Sequence, residues 1–149
     1  MLWKTHLVVA FLVGLVLLPY LNPQNQILYI ALILFGSLLP DIDHPDSKLG
    51  KKVKIIGFLF EHRGFFHSIF ALILLVLPFM ILKLEYIAWP LGIGYLSHIL
   101  ADALTLQGIM FLHPLTRWKL SGFIKSGGLI EKVLFLILFS VLVWKLFTL

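Results

Sequence analysis

Six side chains able to carry a proton or grip a cation crowd into one polar break of the sequence: Asp41, Asp43, His44, Asp46, His62 and His67. The break lies between two strongly apolar runs. His98 and Asp102 stand four residues apart and so share one face of a helix, and His6 stands near the start of the chain. Ionisable side chains beside or within a bilayer are costly, and by default they point to function. Carboxylate oxygens and imidazole nitrogens together suit a hard-to-borderline divalent ion. The chain has no cysteine, which excludes disulfides and thiolate metal sites. An Asp-x-Asp or a His-x-x-x-Asp is common by itself. Only their convergence at one depth would make a site.

The elements that must bring them together are apolar. Hydrophobic residues make up 60% of the chain and charged ones 13%, with a mean hydropathy of +1.03. This composition belongs to an integral membrane protein, read here as one domain over residues 1–149. No small-residue cleavage site precedes Pro19, so the N-terminal run reads as a retained span and not a signal peptide. The pattern predicts an all-α polytopic bundle of five transmembrane helices. The first covers residues 1–18, the second Ile27–Leu39, the third His67 or Ser68 to Leu84 with a kink at Pro78, the fourth Tyr86–Leu106 and the fifth Leu129–Phe147. Pro40 should end the second helix at Leu39, leaving Asp41 and Asp43 on a turn. Gly92, Gly94 and Ser97 should let the fourth helix pack closely. Ile55–Phe60 reads as interfacial. Gln107–Gly128 reads as a short amphipathic interfacial segment closed by a Gly127-Gly128 turn.

A net charge of +5 would suggest nucleic acid in a soluble protein; here it reads as basic cytoplasmic loops. With the N-terminus inside, ten of the 12 lysines and arginines are cytoplasmic, and only Lys83 and Lys145 are outside. In that topology His6, Asp41, Asp43, His62, His67, His98 and Asp102 all fall at the inner end of four spans. His98 and Asp102 lie about 18 and 24 Å below the outer edge at ~1.5 Å per residue. The fifth span contributes no ligand. Asp41, Asp43 and Asp102 face Arg63 as the one nearby guanidinium, and divalent cations would neutralise the remainder. Seven candidate ligands exceed one tetrahedral site, so two ions are expected, zinc first and manganese as the alternative. Asp102, or another carboxylate not fully used as a ligand, is the candidate base, and Arg63 the candidate to hold an anionic substrate or stabilise developing charge. His44 and Asp46 either ligate or end the turn, and His113 reads as a loop residue. Ser37, Ser68, Ser97 and Thr105 either orient ligands or satisfy helix carbonyls.

The motifs Thr5-His6, Leu39-Pro40-Asp41-Ile42-Asp43-His44, His62-Arg63-Gly64-Phe65-Phe66-His67-Ser68 and Gly94-Tyr95-Leu96-Ser97-His98-Ile99-Leu100-Ala101-Asp102 resemble, in order, those of the YdjM-type inner-membrane metal-dependent hydrolases. The likeness runs from residue 5 to about residue 114. Phe66 departs from it, standing where such proteins usually carry Thr. The resemblance implies metal-dependent hydrolysis but no defined substrate. A looser similarity to all-helical zinc phospholipases C points to phosphate esters.

These readings make the expected protein a multi-pass inner-membrane hydrolase. Its substrate would be a phosphoester or related ester of a lipid or amphiphile in the cytoplasmic leaflet. No separate domain is present to recognise nucleic acid. The basic run Lys48–Lys54 either attracts anionic headgroups or sets topology. The alternative is a metal transporter or a non-catalytic metal-binding membrane protein. A transporter needs polar groups in both halves, often at a repeat interface, and neither is visible.

Overall fold

The structure is a computed structural model and describes residues 1–43 and 63–148. His44, Asp46, the Lys48–Lys54 run, Ile55–Phe60 and His62 lie outside the described residues. The described residues form five α-helices and no β-strand: α1 Trp3–Leu21, α2 Gln26–Gly36, α3 Ile69–Ile81, α4 Glu85–Ala103 and α5 Leu129–Phe147. Single 3-10 turns, Pro40–Asp43 and Phe65–His67, follow α2 and precede α3.

Local chemistry sets most boundaries. α1 runs through Pro19, which removes one hydrogen bond near the helix end, and stops at Asn22 in the left-handed conformation (φ 39°). The first helix is therefore longer than its apolar run indicates. α2 opens on Asn25, whose side chain accepts from the Leu28 amide at 2.9 Å. It closes at Gly36, three residues before the position that Pro40 indicates, and tightens into i→i+3 bonds from Leu38 and Leu39. Ser68 caps α3 by accepting from Ala71 N at 3.3 Å, so its hydroxyl serves the helix.

α4 is the central helix, packed against α1, α2 and α3, while α5 packs on α1. Gly94 allows the closest approach, because a Cβ there would fall onto the Ile33 carbonyl of α2. Tyr95, Ile99 and Ala103 of α4 form one core with Ala71 and Ile109; Ala10, Tyr29 and Ile33 join α1 to α2. Outward faces are apolar: Leu74, Leu136 and Trp144 are 64%, 61% and 66% exposed. Of α5, only Glu131 and Leu142 are fully buried. Continuous apolar exteriors of this kind face lipid or another protein.

The five-span expectation is met in part. Trp3–Leu21 and Gln26–Asp43 are long and apolar enough to cross a membrane. α3, with 13 residues, is about 20 Å long against a hydrocarbon core of ~30 Å. α4 and α5 each have 19 residues but carry Glu85, His98 and Asp102, or Glu131, Lys132 and Lys145. The amphipathic stretch 107–128 between α4 and α5 is an irregular loop. It folds back on itself through the bridges Thr105 to Ile124 and Ile109 to Leu120. Gly108, at φ +63° and where a Cβ would fall onto the Leu120 carbonyl, makes that reversal.

Candidate metal centre

The polar side chains gather where the N-terminus of α1, the C-terminal turns of α4 and the two 3-10 turns meet. α1 supplies His6 from its first turn, and α4 supplies His98 and Asp102 from its last two. The turn after α2 delivers Asp41 and Asp43, and the turn before α3 delivers His67. His6, Asp43, His67, His98 and Asp102 are all at most 1% exposed, whereas the Asp41 side chain is 19% exposed. His6 stacks on His98 with ring centroids 3.7 Å apart, and His67 meets His98 edge-on at 5.3 Å.

Two of the imidazoles are oriented from behind. His98 Nδ1 lies 2.7 Å from the Ser37 carbonyl, which makes Nδ1 the protonated nitrogen and turns the Nε2 lone pair inward. His98 Nε2 is buried and makes no hydrogen bond among the described residues. Asp43 Oδ2 stands 3.5 Å from His67 Nδ1, leaving His67 Nε2 to face the centre. A carboxylate or carbonyl behind a ligating histidine is the usual support of a metal site.

Four pairs of the inward atoms lie close enough to share an ion. Two donors bound at ~2.0–2.1 Å to one ion lie at most about 4 Å apart. His98 Nε2 and His67 Nε2 are 3.6 and 3.9 Å from Asp41 Oδ1. His67 Nε2 is 3.7 Å from Asp102 Oδ2, and His6 Nε2 is 3.2 Å from Asp102 Oδ1. Three of these four distances exceed the ~3.2 Å limit of an ordinary N–H···O bond. Two triads result, Asp41–His67–His98 and His6–His98–Asp102, each with donor atoms within 4.8 Å of one another. They meet at His98. Because His98 Nδ1 is committed to Ser37, His98 has a single nitrogen to offer, and it can serve only one ion.

Arg63 ties the centre together. Its φ of +64° is a conformation that a non-glycine residue adopts only when its surroundings impose it. Its amide donates to Asp43 Oδ2 at 3.2 Å, and its carbonyl accepts from Met110 N at 3.1 Å. The guanidinium places Nη2 3.0 Å from Asp102 Oδ2 and donates from Nη1 to Thr105 Oγ1 at 2.8 Å and the Gly108 carbonyl at 3.3 Å. Both terminal nitrogens thus point inward, so bidentate capture of a phosphate would break bonds already made. Asp102 is likewise engaged on both oxygens, since the Met1 nitrogen also donates to Oδ1.

Of the seven ligand candidates, the fold brings His6, Asp41, His67, His98 and Asp102 into the triads. Asp43 stands behind His67, and His62 is outside the described residues. His113 belongs to neither triad. Ser97 and Thr105 return their hydroxyls to the carbonyls of Gly94 and Asp102, both at 2.7 Å. The fifth helix is not silent. Glu131, absent from the sequence reading, is fully buried and holds the start of α1 through Leu2 and Thr5. Its place three residues into a helix that follows Gly127-Gly128, where acceptors reach back to free amides, was the available signal.

Fold and centre together define a helical membrane protein with a buried histidine–aspartate cluster of the right chemistry to hold a divalent ion. The chain belongs to the YdjM inner membrane protein family, whose model matches residues 1–148. It is 40% identical over 120 residues to the inner membrane protein YdjM of Escherichia coli (strain K12). It is equally similar to the YdjM of Shigella flexneri. Each alignment covers 72% of this chain but 61% of the relative. The protein named "Uncharacterized protein YvsG" of Bacillus subtilis (strain 168) is 33% identical over 136 residues, covering 87% of this chain and 84% of its own. No solved structure matches the chain.

Proposed function

We propose that this chain is a multi-pass inner-membrane hydrolase with a cytoplasmic N-terminus, acting on a phosphoester or related ester of an amphiphile in the inner leaflet. The observation that carries the reading is the approach of His98 Nε2 and His67 Nε2 to Asp41 Oδ1, at 3.6 and 3.9 Å. The donor set, nitrogen and oxygen without sulfur, suits zinc first and manganese second. Asp41, His67 and His98 would hold the first ion. A second ion at His6 and Asp102 would need another protein donor, and His62 is the sequence candidate. When bound, a divalent ion supplies Lewis acidity, which activates water and polarises an ester oxygen.

The protein's own groups do the rest. Water oxygen bonds to phosphorus or acyl carbon, and the ester oxygen departs with its bonding pair. Asp41, the carboxylate of the cluster most open to solvent, would take the water proton on the oxygen it does not give to the ion. Asp102 was the sequence candidate, but it is held on both oxygens and fits better as a ligand. Arg63 fixes Asp102 and, beside it, the charge of the pocket.

An amphiphilic substrate is supported by an apolar cleft of about 220 Å³ beside the cluster, lined by Leu39, Ile42, Phe66, Ala71, Leu74 and Tyr95. Leu39, Ile42 and Phe66 are sequence neighbours of Pro40-Asp41, Asp43 and His67. The cleft is smaller than the ~300–1,000 Å³ that holds a whole drug-sized ligand, so it suits part of a chain. Buried polar side chains among the described residues lie at this end of the bundle, which favours a hydrolase over a transport path.

The test is to reconstitute the protein in anionic liposomes, with and without zinc or manganese, and follow lipid products by mass spectrometry. Asp41→Asn and His98→Ala serve as controls. Metal-dependent ester cleavage lost in both variants is expected. A metal-loaded, folded protein that turns over no ester refutes the enzymatic reading. Turnover of soluble phosphoesters alone refutes the lipid substrate.

A further inference from the structure

One buried carboxylate has no part in the reaction proposed above. Glu131 is 0% exposed, on a helix that otherwise buries almost nothing. A buried carboxylate is costly unless its oxygens are satisfied, and among the described residues Glu131 meets three donors. Oε1 accepts from Leu2 N at 2.6 Å and Thr5 Oγ1 at 2.8 Å, and Oε2 accepts from Gly127 N at 2.6 Å. Each oxygen serves a different helix.

Oε2 reaches back from the first turn of α5 to the amide before its cap, in the manner of a capping box. Oε1 acts across 126 residues of sequence on α1. The residue that precedes α1, Leu2, offers no side-chain cap, so its own amide has no local side-chain partner. A negative charge at that end also favours the helix dipole. Thr5, the residue that Glu131 grips by its hydroxyl, immediately precedes His6, whose Nε2 lies 3.2 Å from Asp102.

We propose that Glu131 is a positioning residue of the metal centre: it caps α1 from outside that helix and thereby holds His6 against His98 and Asp102. The proposal rests on the metal-centre reading for its consequence, but the clamp itself does not. Gln at 131 keeps one acceptor and turns an NH2 toward a donor, so one of the two helices loses its cap. Thr5→Val removes the hydroxyl arm alone.

The first experiment measures zinc affinity of the purified protein by chelator competition for wild type, Glu131→Gln, Thr5→Val, His6→Ala and the double variant Glu131→Gln/His6→Ala. Loss of an orienting residue costs about 10–100-fold in affinity. Glu131→Gln is expected to lose about tenfold, Thr5→Val less, and the double variant no more than His6→Ala alone. Losses that add in the double variant would mean Glu131 acts on the whole fold, and would overturn the proposal. The second experiment needs no metal: carbethoxylation of His6 by diethyl pyrocarbonate, read by mass spectrometry. His6 should react several-fold faster in Glu131→Gln and at the wild-type rate in Lys132→Gln. Equal rates in wild type and Glu131→Gln overturn the clamp. Absence of zinc binding in the wild type with faster His6 reaction in Glu131→Gln keeps the clamp and rejects the metal centre.

Discussion

Asp41 and Asp43 are separated by one residue, yet the structure gives them opposite duties, and Asp43→Asn tests the division. Asp43 Oδ2 serves His67 Nδ1 at 3.5 Å and the Arg63 amide at 3.2 Å, while Asp41 Oδ1 faces the inward nitrogens. Asparagine is nearly isosteric but has one acceptor oxygen and no charge. It can keep the Arg63 amide and release His67, or the reverse. Loss of the partner behind a ligating histidine costs about 10–100-fold in metal affinity, and each tenfold is about 1.4 kcal/mol. Zinc affinity should therefore fall about 10–100-fold in Asp43→Asn, in line with the loss of other orienting partners. Asp41→Asn removes a donor and should fall further. The assay is chelator competition in detergent, with thermal melting to establish that each variant is folded. An Asp43→Asn protein that binds zinc as the wild type does, or as poorly as Asp41→Asn, would refute the argument that Asp43 supports His67 without ligating.

Gly94→Ala forces a Cβ into the Ile33 carbonyl, and overpacking of this kind costs about 1–3 kcal/mol; thermal melting should show a lower Tm, and an unchanged Tm would refute the α2–α4 contact. Arg63→Lys keeps the charge but replaces a fork that reaches Asp102, Thr105 and Gly108 with one ammonium; it should lower both Tm and zinc affinity, and wild-type values for both would argue against its tying role. A topology reporter placed after α5 should read outside in cells if all five helices cross and the N-terminus is cytoplasmic. An inside signal would remove one crossing.

The membrane class was legible from composition alone, because a chain with 60% hydrophobic residues has too few polar groups to clothe a soluble surface. The fifth helix was legible in its start, since a glycine pair precedes the apolar run that opens at Leu129. Other boundaries were not. α1 extends through Pro19 and α2 stops at Gly36 because helix ends depend on what packs beside them, which a one-dimensional pattern does not carry. The loop from 104 to 128 looked amphipathic by composition, but its shape comes from cross-chain bonds such as Ile109 N to the Leu120 carbonyl at 3.0 Å.

For the site, residue types and spacing determined which side chains had the chemistry, and the four-residue step put His98 and Asp102 on one helical face. Only the tertiary structure decided how they divide the work. Ser37 is 61 residues from His98, yet its carbonyl selects the inward nitrogen. Asp43 was set behind His67, Arg63 was turned inward onto Asp102, and Glu131 was bound to the opposite end of the chain. The physical reason is common to all four. A buried polar atom must find its partner among whatever the packed helices bring within about 3 Å, and those neighbours are chosen by packing, not by distance along the sequence.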